Sequence, residues 1–366
     1  MKVAVLGVGL IGGSIGLAAK QRLGADVAGF DPDAAILERA VERAAIDSGH
    51  GSVAEAVDGA EIVFCAAPVS ALPSLVAEAL RASRPEAVVT DAGSTKRELV
   101  AELAGEVAGE RFIGGHPLAG AETAGVEGAR ADLFDGARWY LTPTQRSSGL
   151  HYDRLQRALA ELGARPQAID AETHDRLMAT VSHLPHVLAN VLASQAAAAA
   201  AGASESERMP EVGRSFRDST RVAGANPTIW ADIFASNSAA VASEIDAVVE
   251  RLREAAELMR GGESDALAAW HRQARDDRRA LLEGEGVGGP LHELRVVVDN
   301  RPGTVAEIAL ALGEAGLNIE DMALDPAADM RSGAITLWIA GADEARRAGE
   351  VVRGLGHSVS AVPGGG

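Results

Sequence analysis

His116 stands in "IGGHPLAGAE", residues 113–122, between a glycine pair and a proline, with Glu122 as the other titratable group of that stretch. A neutral imidazole, with an ordinary pKa of about 6.5, can take a hydroxyl proton at neutral pH while hydride leaves the carbon of an alcohol. The other use of an isolated histidine is packing in a core. Upstream, "TDAGSTKREL" carries Ser94, with Thr95 and Glu98 at capping-box spacing. If Thr95 caps the next helix, the Ser94 hydroxyl is released toward His116 or a substrate; if Ser94 is the cap, it is not. Spacing leaves both open. Downstream, "THDRLMATVSHLPH" puts His174, Asp175, His183 and His186 on and around one helix, with His183 and His186 on one face. No cysteine is near and there is no H-E-x-x-H pattern, so a metal is the weaker expectation. "GRSFRDSTRVAGANPTIW" packs Arg214, Arg217 and Arg221 into eight residues. In an acidic chain such a cluster points to carboxylate binding; its alternative is ion pairing with Glu205, Glu207 and Glu211.

A second constellation binds rather than reacts. "VAVLGVGLIGGS" gives Gly7-x-Gly9-x-x-Gly12 directly after a strand pattern and at the start of a helical one. Gly7 permits a tight turn, Gly9 a close approach of backbone to a pyrophosphate, and Gly12 close packing of helix on strand. The helix N-terminus then offers free N–H groups and a positive dipole end to phosphate. Nineteen residues after Gly12, "DVAGFD" ends in Asp31, placed to accept from an adenosine ribose diol and to repel a 2′-phosphate. Pro32 and Asp33 follow, with no arginine to hold such a phosphate, so NAD is expected rather than NADP. Leu10 and Ile11 inside the motif, and Pro68 closing "EIVFCAAP", complete the expected cofactor contacts.

These groups need a scaffold. Up to about residue 140, short apolar runs ("KVAVLG", "DVAGFD", "EIVFCAAP", "AVVTDAG", "RFIGGHP") alternate with helical patterns. That predicts an α/β Rossmann-type parallel sheet covered on both faces. "HYDRLQRALAELG" and "PQAIDAE" finish this domain, residues 1–168. Residues 169–283 read as an all-α domain, "GEGVGGP" at 284–290 as a linker, and residues 291–366 as a ferredoxin-like βαββαβ unit. At 366 residues the chain exceeds the roughly 250–300 at which one core stops growing. Hydrophobic residues make up 47%, while aromatics are 3%, so Ala, Val and Leu must do the packing.

The net charge of −18 comes without a basic stripe or polybasic patch, so neither nucleic acid nor a membrane surface is an expected partner. The apolar opening can mimic a signal peptide, but its glycines favour the dinucleotide turn. The stretch from Val187 to Ala201, interrupted by Asn190, Ser194 and Gln195, is not read as a membrane span. The single cysteine, Cys65, permits no intrachain disulfide and fits a reducing cytoplasm; within a strand it reads as a buried small hydrophobe.

Taken together, "GVGLIGGS", "DAGSTK", "GGHPLAGAE", "THDRLMATVSHLPH" and "FRDSTRVAGANPTIW", in this order over about residues 1–283, resemble the prephenate dehydrogenases of tyrosine biosynthesis. The resemblance implies an NAD-dependent oxidoreductase with a Rossmann domain and a helical domain that forms a homodimer. It places the catalytic histidine at His116 and the serine that contacts it and the substrate hydroxyl at Ser94. It puts the carboxylate-binding arginine at Arg221, within a motif that includes Arg217 and Asp218. His186 and Glu122 line the pocket, and Trp230 is expected to approach from the partner subunit. One departure stands out: the family often has three glycines before the phenylalanine of the arginine motif, where this chain has Gly213-Arg214-Ser215.

The tail, "ELRVVVDNRPGTVAEIALALGEAGLNIEDM", resembles an ACT domain. That implies an amino-acid effector, with tyrosine as the obvious end product, held at Asn300, Arg301, Pro302 and Gly303 and completed by Asn318 and Ile319. Gly303 and Thr304 open a helix whose N–H groups can receive a carboxylate. The expected reaction is oxidative decarboxylation of prephenate. Arogenate dehydrogenase is the near alternative and a non-catalytic amino-acid sensor the distant one. A β-hydroxyacid dehydrogenase is disfavoured, because those enzymes rely on a lysine in the helical domain and this chain has none after Lys96.

Overall fold

The computed structural model describes residues 1–106, 108–120, 125–201, 212–282, 291–299, 301, 303–319, 321–327 and 332–362. Glu122, Asn300, Pro302, the Gly284–Pro290 segment and Glu205, Glu207 and Glu211 lie outside them. The chain divides into two units, Met1–His174 with Ala268–Gly366, and Asp175–Leu267.

The first unit is built on eight strands: β1 (Lys2–Leu6), β2 (Asp26–Phe30), β3 (Ser48–His50), β4 (Ile62–Cys65), β5 (Val88–Asp91), β6 (Phe112–Pro117), β7 (Arg138–Thr142) and β8 (Arg165–Ala168). They lie in the order β3-β2-β1-β4-β5-β6-β7-β8. All neighbours are parallel except β6 and β7. The apolar runs behave as a doubly covered sheet requires: Val3 to Leu6 and Ile62 to Cys65 are fully buried. The antiparallel β7, "RWYLT", extends the sheet beyond the alternation expected to end near residue 140. It carries Trp139, which is fully buried against Phe134 at 5.0 Å and edge-on to Phe64 at 6.2 Å.

Helix Leu10–Leu23 covers β1 and is small-residue rich where it must sit close. A Cβ at Gly12 would stand 1.9 Å from the Gly7 carbonyl oxygen, and one at Gly16 2.0 Å from that of Ala45. Gly24 ends the helix in the left-handed region at φ 58°.

A second, four-stranded antiparallel sheet belongs to the same unit: β9 (Leu291–Asp299), β10 (Asp321–Pro326), β11 (Ser332–Ala340) and β12 (Ser358–Val362), in the order β10-β11-β9-β12. Helices Thr304–Glu314 and Ala342–Gly354 cover one face, so the element order is βαββαβ. Its one-sidedness shows in β9, where Leu294, Val296 and Val298 are buried and Val297 is exposed.

The second unit is helical. Helix Leu184–Ala201 follows a π turn at Ala179–His183. Pro185 has no N–H to donate and its ring crowds the preceding turn, and a widened turn accommodates both. Helices Arg214–Thr220, Pro227–Ser236 and Ser238–Gly261 complete it. By length and composition the helical stretch Ala171–Ala201 is long and apolar enough to cross a membrane, and 11% of its most apolar window is buried.

Candidate functional site

The glycine turn has the geometry that its spacing predicts. Gly7 adopts φ +92°, and a Cβ there would lie 2.5 Å from the Ala66 carbonyl oxygen, so only glycine lets the β1 turn meet the β4 turn. Gly9 caps the following helix without any side-chain hydrogen bond, no acid lies in the first turn, and a Cβ at Gly9 would meet nothing within 4 Å. The Gly9 end of this helix is therefore uncapped by side chains and open on its Cβ side, beside a positive dipole end, a cradle suited to a pyrophosphate. Strand order reverses between β1 and β4, the place where open α/β sheets bind ligands. Pro68 follows β4 at this edge, before the short helical turn Val69–Ala71. Asp31, at the end of β2, accepts from the Val8 amide at 3.0 Å and the Asp33 amide at 3.1 Å. Those bonds fix the carboxylate beside the glycine turn. Cys65 is fully buried, and burial pushes its thiol well above the usual range, so it is no nucleophile.

Three strands along the same edge, His116 is the last residue but one of β6. The glycine pair before it has a steric cause. A Cβ at Gly114 would lie 2.3 Å from Thr142 Oγ1, and one at Gly115 2.5 Å from the Asp91 carbonyl oxygen. Asp91 is fully buried and accepts from Gly93 N–H at 2.8 Å, from Gly115 N–H at 3.0 Å and from the equally buried Lys96 ammonium. This anchors the β5 turn, which carries Ser94, next to the β6 segment that carries His116. His116 is half-buried, and its Nδ1 lies 2.9 Å from Nε2 of the fully buried His174. Tyr140, directly across from His116 on β7, packs edge-on against His174.

The capping expectation is corrected here. Helix Arg97–Glu102 has its N-cap at Lys96, whose side chain makes no cap hydrogen bond, rather than at Ser94 or Thr95. At that start the buried Lys96 ammonium pairs with Asp91. Sequence reasoning passed over Asp91, Lys96 and the pairing role of His174. A lysine two residues after the serine in "DAGSTK" was the available signal for the ion pair.

In the second unit His186 stacks on Trp230, with ring centroids 3.4 Å apart and 24° between planes. The fully buried ring of His183 meets the same indole edge-on at 5.9 Å. Burial, and then the nearby Arg221 guanidinium, hold the His186 imidazole below its ordinary pKa. Arg221, exposed, opens a short helical turn directly after helix Arg214–Thr220. Of its expected companions, Arg217 donates to the Val212 carbonyl at 3.3 Å and Asp218 pairs with Arg214 at 3.6 Å, both exposed. Asn237, another residue the sequence did not single out, is fully buried. It stands between helices Pro227–Ser236 and Ser238–Gly261 and donates to the Asp175 carbonyl at 2.7 Å and to His183 Nδ1 at 3.2 Å. Trp230 thus meets two histidines of its own chain.

At the second sheet, the Gly303 amide expected to await a ligand donates to the Ser147 carbonyl at 2.8 Å, and a Cβ there would strike Gln145. The amide is consumed because the 144–147 turn lies over the start of helix Thr304–Glu314. The Ile319 carbonyl accepts from the Gln167 side chain, and Arg301 pairs with Glu307 at 2.9 Å. Asn318 is exposed.

A dinucleotide cradle at the switch point of a parallel sheet, with an imidazole on the same carboxyl edge, defines a nicotinamide-dependent dehydrogenase. Residues 15–167 match the family described as prephenate dehydrogenase, nucleotide-binding domain, and residues 170–273 match prephenate dehydrogenase, dimerization domain. The chain belongs to the prephenate dehydrogenase family. It is 29% identical over 360 residues to the prephenate dehydrogenase of Bacillus subtilis, covering 96% of this chain and 95% of that protein. The structure of Aquifex aeolicus prephenate dehydrogenase in complex with hydroxyphenyl propionate and NAD+ superposes with a TM-score of 0.70. It is 28% identical, covering 77% of this chain and 98% of that one. Synechocystis arogenate dehydrogenase gives a TM-score of 0.67 at 27% identity, covering 77% of this chain and 100% of that one.

Proposed function

We propose that the protein is an NAD-dependent prephenate dehydrogenase. It converts prephenate to 4-hydroxyphenylpyruvate and CO2, with His116 as the base. The observation that carries this reading is the position of His116, on the same carboxyl edge as the Gly7 turn and three strand spacings, ~14 Å, from it. The Gly7–Gly12 turn would hold NAD+, with Asp31 for its ribose and Leu10, Ile11 and Pro68 beside it, and the cofactor would supply the hydride acceptor. His116 takes the ring hydroxyl proton as the C–H hydride leaves the same carbon. The ring carboxylate then departs as CO2, its bonding pair completes the aromatic ring, and His116 returns the proton to the phenolate oxygen. Atoms and charge balance with no net proton. Ser94 hydrogen-bonds the reacting hydroxyl, and Arg221 receives the pyruvyl carboxylate, so that the hydride donor is oriented rather than merely bound. We assign His186 and Trp230, which stack on each other, to this carboxylate end of the substrate, and Glu122 as a further pocket group.

Val181, Leu188, Val191 and Leu192 are all exposed apolar side chains of the long helical stretch. A second copy of the chain covers them in the homodimer that the matched dimerization family supports. We divide the functions over residues 1–168, 169–283 and 291–366. The last of these acts as an ACT-type regulatory unit, in which an effector carboxylate must compete with Ser147 for the Gly303 amide.

Arogenate is the second reading, favoured by the full-length coverage of the Synechocystis enzyme. The test is NADH formation with prephenate and with arogenate, each with NAD+ or NADP+, and with and without tyrosine. Prephenate with NAD+ is expected to give the highest kcat/KM. A preference for arogenate would move the substrate assignment, and turnover of neither substrate would contradict the enzyme reading.

A further inference from the structure

The mechanism above uses one nitrogen of His116 and leaves the other unexplained. That other nitrogen, Nδ1, lies 2.9 Å from His174 Nε2, with ring centroids 5.1 Å apart and planes at 74°. His174 is fully buried, its backbone amide donates to the Asp170 carbonyl at 2.9 Å, and Tyr140 packs against its ring at 5.5 Å. Its orientation is therefore set by β7 and by the start of its own helix.

One proton lies between the two facing nitrogens, and its owner decides the chemistry. If His174 Nε2–H donates, neutral His116 carries its own proton on Nε2 and has no lone pair there for a substrate proton. If His116 Nδ1–H donates, Nε2 holds the lone pair. The same bond then survives when His116 becomes imidazolium, because Nδ1 stays protonated throughout. We propose that His174 is a positioning residue that accepts from His116 Nδ1–H, locking the catalytic ring in its base-competent tautomer. This rests on His116 acting as the base, as proposed above. A neutral histidine here fills the place an orienting carboxylate takes in other base-activating pairs.

The test pairs spectroscopy with kinetics on the full chain. Nitrogen-15 shifts of the His116 ring, assigned with His116→Asn, report which nitrogen bears the proton in the neutral state. The wild type is expected to carry it on Nδ1, and His174→Leu to move it largely to Nε2. His174→Leu should lower kcat for prephenate by about 10- to 100-fold with KM changed less than about twofold. His174→Gln, whose Oε1 reaches the place of Nε2, should restore kcat to within about threefold of wild type. A wild-type His116 protonated on Nε2, or an undiminished kcat in His174→Leu, would overturn the proposal. So would Leu and Gln variants that are equally slow. Because the ring shifts are read without turnover, they judge the pairing even if His116 proved not to be the base.

Discussion

Asp91 and Lys96 are joined in an ion pair with neither side chain exposed, and the same carboxylate accepts from the amide of Gly115, one residue before His116. The pair therefore ties the β5 turn to the segment that presents the imidazole. Lys96→Met leaves a buried carboxylate without its cation and should cost about 3–5 kcal/mol of stability. Urea unfolding of the purified variant measures this, and an unchanged midpoint would show that the pair does not hold the site together.

Gly12 is the tightest position of the dinucleotide turn, since an added Cβ falls 1.9 Å from the Gly7 carbonyl oxygen. Gly12→Ala must displace either the turn or the helix that offers its amides. NAD+ affinity is expected to fall by tenfold or more, about 1.4 kcal/mol per decade, as read by fluorescence titration. Wild-type affinity in a folded variant would place the pyrophosphate elsewhere.

Arg221 is assigned to a carboxylate that does not react. Removing it should weaken the ground state and the transition state alike. Arg221→Ala is expected to raise KM for prephenate by roughly 100-fold while kcat falls much less. A variant with unchanged KM and a collapsed kcat would instead make Arg221 part of the chemical step.

His186 gives a pH signature. Burial and then Arg221 lower its pKa in the folded chain, so near pH 6 the unfolded chain binds the proton more readily than the folded one. Stability from this group is complete above the unfolded value of about 6.5 and is lost as pH falls from there through the lower folded value. Between about pH 7.5 and 5.5 the wild type should lose more thermal stability than His186→Gln, whose side chain does not titrate. Parallel Tm curves for the two proteins would refute the assignment.

Much of this was legible in the sequence, and the reason is steric. Gly7, Gly12 and Gly115 stand where another stretch of backbone leaves no room for a Cβ, and Gly114 where the Thr142 side chain leaves none, so the glycine patterns mark the cradle and the strand that presents His116. What stayed hidden depends on distant partners. His174 and His116 are 58 residues apart, and nothing in "THDRLM" announces that its histidine is buried against the ends of β6 and β7. Asn237 reads as an ordinary polar residue within a helix until its contacts with Asp175 and His183 are seen. The Gly303 amide looked open because only the fold brings the Ser147 carbonyl to it.

The most direct test is the turnover of His116→Asn with prephenate and NAD+ at saturation. Asparagine keeps a polar group near Nδ1 but has nothing that takes a proton at neutral pH. The imidazole-as-base account predicts kcat lower by about 10²- to 10⁴-fold with prephenate KM within a few-fold of wild type. A variant turning over at the wild-type rate would contradict it.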